Sequence, residues 1–290
     1  MKEILDNIDI CLKTRKLSAN ILLKTLKIIK NENISEKKIK ELWQCQLSRN
    51  PSVYEKGWYE QPPDGFAVLI CNSTNPKRLD FSSLREEHFY PKPNIFLSID
   101  SVSFFYCSPV NKVRNIIGDF SITLYRGNDQ KIIDHIKKVF IITKAIADYA
   151  QIGMNMNEIY KFGLSLFDKY QVRNIDYSVT DGMDVNIGHT IPWTYEVMNN
   201  EEKYILKTGN WDNIKNMISK KRKFINKDQE LKIQENMIFT IEPKLKSSLD
   251  SSIPAITFHV IVAFRKGKKS VINNYSEIFK EWDMDYLENI

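Results

Sequence analysis

Apolar residues recur at helical spacing from the first turns of the chain. Ile8, Leu12, Leu17, Ile21, Leu22, Leu26 and Ile29 stand among lysines, which predicts a helix over residues 1 to about 31. Ser35 is a good cap ahead of Glu36, Lys37 and Lys38; with Ile39, Leu42 and Trp43 behind it, a second helix is expected, ended by Pro51. Short apolar runs then change the period from helical to extended. Strands are expected at 66–71, 95–100 and 119–125, punctuated by Pro62, Pro63, Pro91 and Pro93.

The same order returns in the second half. A helix is expected at about 129–149, and a second at 155–170, where Asn155 followed by Glu158 forms a capping-box pattern. Strands are expected near 175–179, 237–242 and 256–264. The segment before Ser35 mirrors the one before Asn157, so the chain reads as two structural half-repeats, about 18–127 and 128–275, after an N-terminal helix. This order implies one α+β domain over 1–290, helices on one face of a curved, mostly antiparallel sheet. Residues 107–118 and 199–235 fit that scheme poorly. The second stretch contains Lys220, Lys221, Arg222 and Lys223, a run expected to be a solvated helix face, with an acidic partner as the alternative.

Composition adds exclusions. With 42% hydrophobic and 27% charged residues the chain is globular in character, and 42 Lys+Arg against 36 Asp+Glu give +6, too diffuse to argue for nucleic acid. The acidic start, Met1 to Asp6, is unlike an export signal, and no apolar stretch is long enough to span a membrane, so a cytoplasmic location is expected. Cys11, Cys45, Cys71 and Cys107 are widely spaced and read as reduced core cysteines.

Four residues lie at or beside apolar strands where a solvated side chain is out of place: Asp100, Asp119, His189 and Glu242. Any one of them alone reads as a turn, cap or edge residue. Burying unpaired carboxylates costs several kcal/mol, so acids in such places gather around a cation or shift their pKa. Together they form a mixed oxygen and nitrogen set suited to Mn, Fe, Co or Zn.

Their order and local sequence resemble the pita-bread metallopeptidase family, which includes methionine aminopeptidase, Xaa-Pro aminopeptidase, prolidase and creatinase. The strongest match is Met237-Ile238-Phe239-Thr240-Ile241-Glu242-Pro243, similar to the family strand carrying a metal-binding Glu. Ile187-Gly188-His189 resembles the start of the family's Gly-His motif, and Asp100 and Asp119 resemble its paired aspartates. The resemblance covers roughly residues 20–275. It implies a fold of two pseudo-symmetric halves, one or two divalent metal ions, and hydrolysis of a C-N bond in a small or short-peptide substrate by a chain that could form a homodimer.

The chain departs from the family pattern in several places. Asp100 and Asp119 are 19 positions apart, wider than the family pair, which implies an insertion within 108–117. Substrate-side histidines expected after His189 and near residues 82–85 are missing. The bridging Glu on the last strand corresponds to Phe258, with His259 adjacent. Neighbouring strand residues face opposite ways, so His259 serves as the fifth metal ligand only through a register slip or a bulge. Glu196 is the candidate acid/base group. Among Trp58, Tyr59, Phe66, Trp193 and Tyr195, Trp193 is the candidate substrate contact. A metallohydrolase is the first expectation. An iron-dependent oxidative enzyme using His259, and a non-catalytic binding protein of the same fold, are the alternatives.

Overall fold

The structure, a computed structural model, describes residues 1–60, 62–175, 185–288 and 290. Helix α1 spans Lys2–Ile29 and α2 spans Glu36–Ser48, the latter capped by Ser35, whose hydroxyl accepts from Lys38 N–H. Three strands follow, β1 (Phe66–Cys71), β2 (Val102–Cys107) and β3 (Phe120–Tyr125), forming an antiparallel sheet in that order. Helix α3 (Gln130–Tyr149) and helix α4 (Met156–Tyr170) repeat the helical pair, and Asn155 with Glu158 forms the expected capping box.

The second half carries β4 (Val172–Asn174), α5 (Asn200–Thr208), α6 (Trp211–Lys221), β5 (Met237–Ile241), β6 (Lys244–Ser247), β7 (Ile256–Thr257), β8 (Val260–Arg265) and β9 (Lys268–Ile272). A short helix, α7 (Ser276–Glu281), packs on α1. The strands form two further antiparallel sheets, ordered β4-β6-β7 and β5-β8-β9. An isolated antiparallel bridge between Ile122 and Phe258 joins β3 to the β7–β8 junction and so couples the two halves. The fold is α+β, with α2 against β1 and α3 against β7 and β8.

One expectation needs correction. Residues 95–100 are not a strand: only Phe96 makes a bridge, to Ser35, and Ser98 to Ser101 close a turn. The strand lies later, at β2, whose Val-Ser-Phe-Phe-Tyr-Cys sequence is still more β-prone. The expected strand at 175–179 lies almost wholly outside the described residues; β4 precedes it. The poorly fitting stretch 199–235 contains α5 and α6, both begun by asparagine caps, Asn199 and Asn210.

A large apolar cluster fills the space between helices and sheets, with Leu22, Trp43, Phe105, Phe120, Phe239 and Phe258 at its centre. A second cluster, including Ile8, Trp58, Trp193, Ile238 and Ile261, lies on the opposite sheet face. Period-2 alternation explains the division: Phe239 and Ile238 are neighbours on β5 yet belong to different clusters. Among the described residues no helix is long and apolar enough to cross a membrane. All four cysteines are free thiols; Cys45 is exposed and the other three are buried.

Candidate functional site

Strand registers assemble the site. Ile241 pairs with Val260 on β5 and β8, and Lys244 pairs with Thr257 on β6 and β7. The pairs are three positions apart on both strands, so the register is kept across the break between the two sheets and sets Glu242 opposite His259. Cross-strand partners share a face, so the two side chains meet. On the other edge of β5, residues 187–191 run antiparallel to it. Thr190 bridges Phe239, Thr240 N–H donates to His189 O at 2.8 Å and Glu242 N–H donates to Ile187 O at 2.9 Å. That register sets His189 opposite Thr240, two residues from Glu242 and on the same face. The Ile122–Phe258 bridge does the same from the first half, placing Ser121, and hence Asp119 two residues before it, on the His259 face.

Gly188 makes this approach possible. Its φ is +150°, and a Cβ there would lie 2.1 Å from Thr240 O, so only glycine lets the His189 backbone lie against β5.

The resulting contacts are close. His189 Nε2 lies 3.4 Å from Glu242 Oε1 and 3.8 Å from Asp119 Oδ2, and His259 Nε2 lies 3.5 Å from Glu242 Oε2. Thr240 Oγ1 donates to Glu242 Oε1 at 2.8 Å, and Trp58 Nε1–H donates to Asp119 Oδ1 at 2.8 Å. Two arginines accompany these carboxylates. Arg15, fully buried on α1, donates from Nη1 to Asp119 O and toward His259 Nδ1, both at 2.6 Å, and from Nη2 to Asn273 O at 3.1 Å and to His259 O. Arg222 caps the C-terminal end of α6 and is buried over the Trp58 and Phe224 rings, with Cζ 4.4 and 4.8 Å from their centroids. Phe224 bridges His189, which brings the segment after α6 alongside the site.

Burial governs the protonation equilibria. It raises Asp119 to about 7, against the lowering effect of the Trp58 hydrogen bond and the charges of Arg222 and Arg15. It lowers His189 to about 3, helped by the positive Arg222, and it holds His259 well below the ordinary imidazole range, helped by Arg15. Both imidazoles are therefore neutral at physiological pH. Trp58, Tyr106, Asp119, His189, Arg222 and Glu242 line a cavity of about 110 Å³. That is several times the ~10–15 Å³ one water needs.

Of the residues singled out in the sequence, Asp119, His189, Glu242 and His259 come together. Asp100 does not. It is exposed in the turn before β2, at the Val102–Tyr125 end of the hairpin, whereas Asp119 lies at the Cys107–Phe120 end. Six-residue strands at ~3.3 Å per residue separate the two ends by roughly 17–20 Å. The wide spacing is β2 itself plus the 108–118 loop, not an insertion between two neighbouring ligands. Glu196 lies away from the cavity lining and pairs with Lys221 at 3.5 Å. Trp193 is packed in the second apolar cluster, its Nε1–H donating to Glu202 at 3.2 Å and its carbonyl accepting from Asn7 at 2.8 Å, so it contacts no ligand space. His259 reaches the site without the bulge expected for it, while Phe258 points to the helix side against Phe140. The basic run is not wholly solvated: Arg222 is buried at the cavity and Lys221 pairs with Glu202 at 2.5 Å.

These residues do not fit a two-metal centre. The Asp100 carboxylate is at the far end of a hairpin, His259 Nδ1 is engaged by Arg15, one Asp119 oxygen is held by Trp58, and two buried guanidiniums already supply positive charge beside the acids. Among the described residues no three His, Cys, Asp or Glu side chains are grouped to hold a metal ion.

Sequence comparison finds neither a family model nor a curated protein that matches the chain. Solved structures do match. The X-Pro aminopeptidase from Thermotoga maritima MSB8 superposes with a TM-score of 0.59 at 12% identity, over 92% of this chain and 60% of that one. The prolidase from Pyrococcus furiosus gives 0.56 at 13% identity, over 89% and 62%. The methionine aminopeptidase from Rickettsia prowazekii gives 0.57 at 12% identity, over 91% and 96%. The chain thus spans about 60% of the length of the first two and nearly all of the third. At such identity the likeness is one of architecture, and it agrees with the helix pairs, strand order and joined half-sheets described above: the chain has the pita-bread fold.

Proposed function

We propose that this chain is a pita-bread binding protein whose cleft takes a short-peptide or amino-acid-like ligand and that it does not carry out two-metal hydrolysis. One observation carries the reading: Asp119 and Glu242 line one cavity with the buried Arg222, and the buried Arg15 donates to the Asp119 carbonyl and toward His259, so positive charge is built into the chain. Two guanidiniums near two carboxylates lessen the demand for an added cation, although at Asp119 burial still outweighs them. Asp119 Oδ2 and Glu242 Oε1 lie 3.8 and 3.4 Å from His189 Nε2, and the two carboxylates accept hydrogen bonds. A ligand amino group, which only donates, complements that face. The aromatic rings of Trp58 and Tyr106 along the same cavity suit its apolar part.

The test is elemental analysis of purified protein after incubation with Mn, Fe, Co or Zn salts, alongside thermal shift with a panel of dipeptides and free amino acids. The expected result is metal well below one equivalent, no peptide cleavage, and a rise in melting temperature with some dipeptides that Glu242→Gln abolishes. Stoichiometric metal together with dipeptide cleavage would overturn the reading and restore the hydrolase expectation.

A further inference from the structure

Each buried histidine of the site has one ring nitrogen facing a group whose hydrogen-bonding role is fixed by its chemistry. A guanidinium only donates and a carbonyl only accepts. Arg15 Nη1 lies 2.6 Å from His259 Nδ1, so Nδ1 must offer a lone pair. The neutral ring then carries its proton on Nε2, which makes no hydrogen bond within the protein and points across 3.5 Å at Glu242 Oε2. His189 is the reverse. Its Nδ1 lies 3.0 Å from Thr190 O, so Nδ1 carries the proton and Nε2 turns a lone pair toward Glu242 Oε1 and Asp119 Oδ2.

We propose that Arg15 is a positioning residue that fixes His259 as an Nε2–H donor aimed at Glu242, so that the two histidines flank one carboxylate in opposite tautomers. The inference deepens the metal-free reading of the cleft and rests on it. A nitrogen that bears a proton cannot ligate a metal, so the Arg15 contact converts an imidazole in a ligand's place into a hydrogen-bond donor. Glu242 is thereby addressed from both sides. Its Oε2 faces N–H of His259, while its Oε1, already accepting from Thr240, shares the cavity side with the His189 lone pair. The polarity of the site follows: donors stand behind Glu242 and acceptors face the ligand space.

Arg15 is suited to the task by its other contacts. Its guanidinium also donates to the carbonyls of Asp119, His259 and Asn273 and lies 5.1 Å from the Phe120 ring centroid, so it cannot swing away from Nδ1 without abandoning several bonds. It ties α1 to both sheet halves at the point where they join.

The experiment is long-range two-bond nitrogen–proton NMR of the histidine rings in the wild-type full chain at neutral pH, with the four rings assigned by substituting them one at a time. The expected pattern has a proton-bearing Nε2 and a lone-pair Nδ1 at His259, and the opposite at His189. Elemental analysis of the same sample separates the two claims. A metal-free sample in which His259 shows a proton on Nδ1 overturns this inference and leaves the binding reading standing. Stoichiometric metal overturns the metal-free premise of this inference, and with dipeptide cleavage it overturns the binding reading itself. Arg15→Met is expected to move the two His259 ring-nitrogen shifts toward each other as both tautomers become populated, while Arg15→Lys, which still donates to Nδ1, retains the wild-type pattern. A merely structural Arg15 would leave the tautomer unmoved in any folded variant, and if Arg15→Met does not fold, the wild-type spectrum alone decides.

Discussion

Acidifying the protein from about pH 7 to about pH 5 is expected to reduce its unfolding free energy by roughly 3 kcal/mol, through three buried histidines working against one buried aspartate. Burial lowers His135 to about 4 and His189 to about 3, and it holds His259 well below the ordinary value. Each ring stays neutral in the folded state across this range but takes a proton in the unfolded chain below its ordinary pKa of about 6.5. The unfolded state then binds more protons, so stability falls as pH falls. Each ring contributes about 2 kcal/mol between these two pH values, close to 6 kcal/mol in all. Asp119 acts with the opposite sign. Raised to about 7, it takes up a proton in the folded state over the same interval while the unfolded carboxyl does not. It returns between about 2 and 3 kcal/mol, which leaves the net loss near 3 kcal/mol. Denaturant unfolding followed by tryptophan fluorescence at several pH values in constant ionic strength measures the slope. An unfolding free energy that is flat, or that rises toward about pH 5, would refute the burial of neutral imidazoles on which the whole site description depends.

Three further outcomes follow from particular contacts. Asp119→Asn removes a carboxyl that burial disfavours when ionised while keeping an acceptor for Trp58, so at about pH 8 it should stabilise the protein by up to about 4 kcal/mol, with the acid loss of the previous experiment growing to between about 5 and 6 kcal/mol; a variant less stable than wild type at that pH contradicts the assignment. Gly188→Ala drives a Cβ to 2.1 Å from Thr240 O and should cost about 3 kcal/mol or more by detaching residues 187–191 from β5, and a wild-type melting temperature would show that the approach is looser than described. Phe258→Ala should cost about 3–5 kcal/mol by emptying the helix-side core, yet leave the His259 tautomer as it is, whereas Asp100→Ala should change stability by no more than about 0.5 kcal/mol and leave dipeptide binding untouched, results that differential scanning calorimetry and the ligand panel read directly.

The helices, their caps and the β3, β5 and β8 strands were legible in the residue order because each is a local pattern. Ser35, Asn155 and Glu158 do in the fold what their positions announce, since a cap satisfies backbone groups within its own turn. The family resemblance rested on the same kind of signal, and Asp119, His189 and Glu242 do converge as their motifs implied. The run at 95–100 shows where local pattern stops being decisive. Both it and the Val102–Cys107 segment are β-prone, and which of them pairs with β1 depends on the partner strand, not on either sequence; with the strand displaced, Asp100 became a surface turn residue.

Tertiary structure alone decided the character of the site. Nothing in the order of residues 237–267 says whether a bulge interrupts the ladder; only the pairing of Ile241 with Val260 and Lys244 with Thr257 shows that His259 faces Glu242 and Phe258 faces the helices. Arg15 and Arg222 were invisible for a related reason. On a helix or at its end, a basic residue among lysines has the composition of a solvated face, and its burial is set by what packs over it from 100 or more residues away in sequence, as the contact of Arg15 with Asp119 shows. Periodicity determines which elements form and which side of each is apolar, because those are interactions within a few residues. Which charge sits beside which carboxylate is a matter of long-range register, and that is what sets Arg15 and Arg222 beside a pattern suited to binding cations.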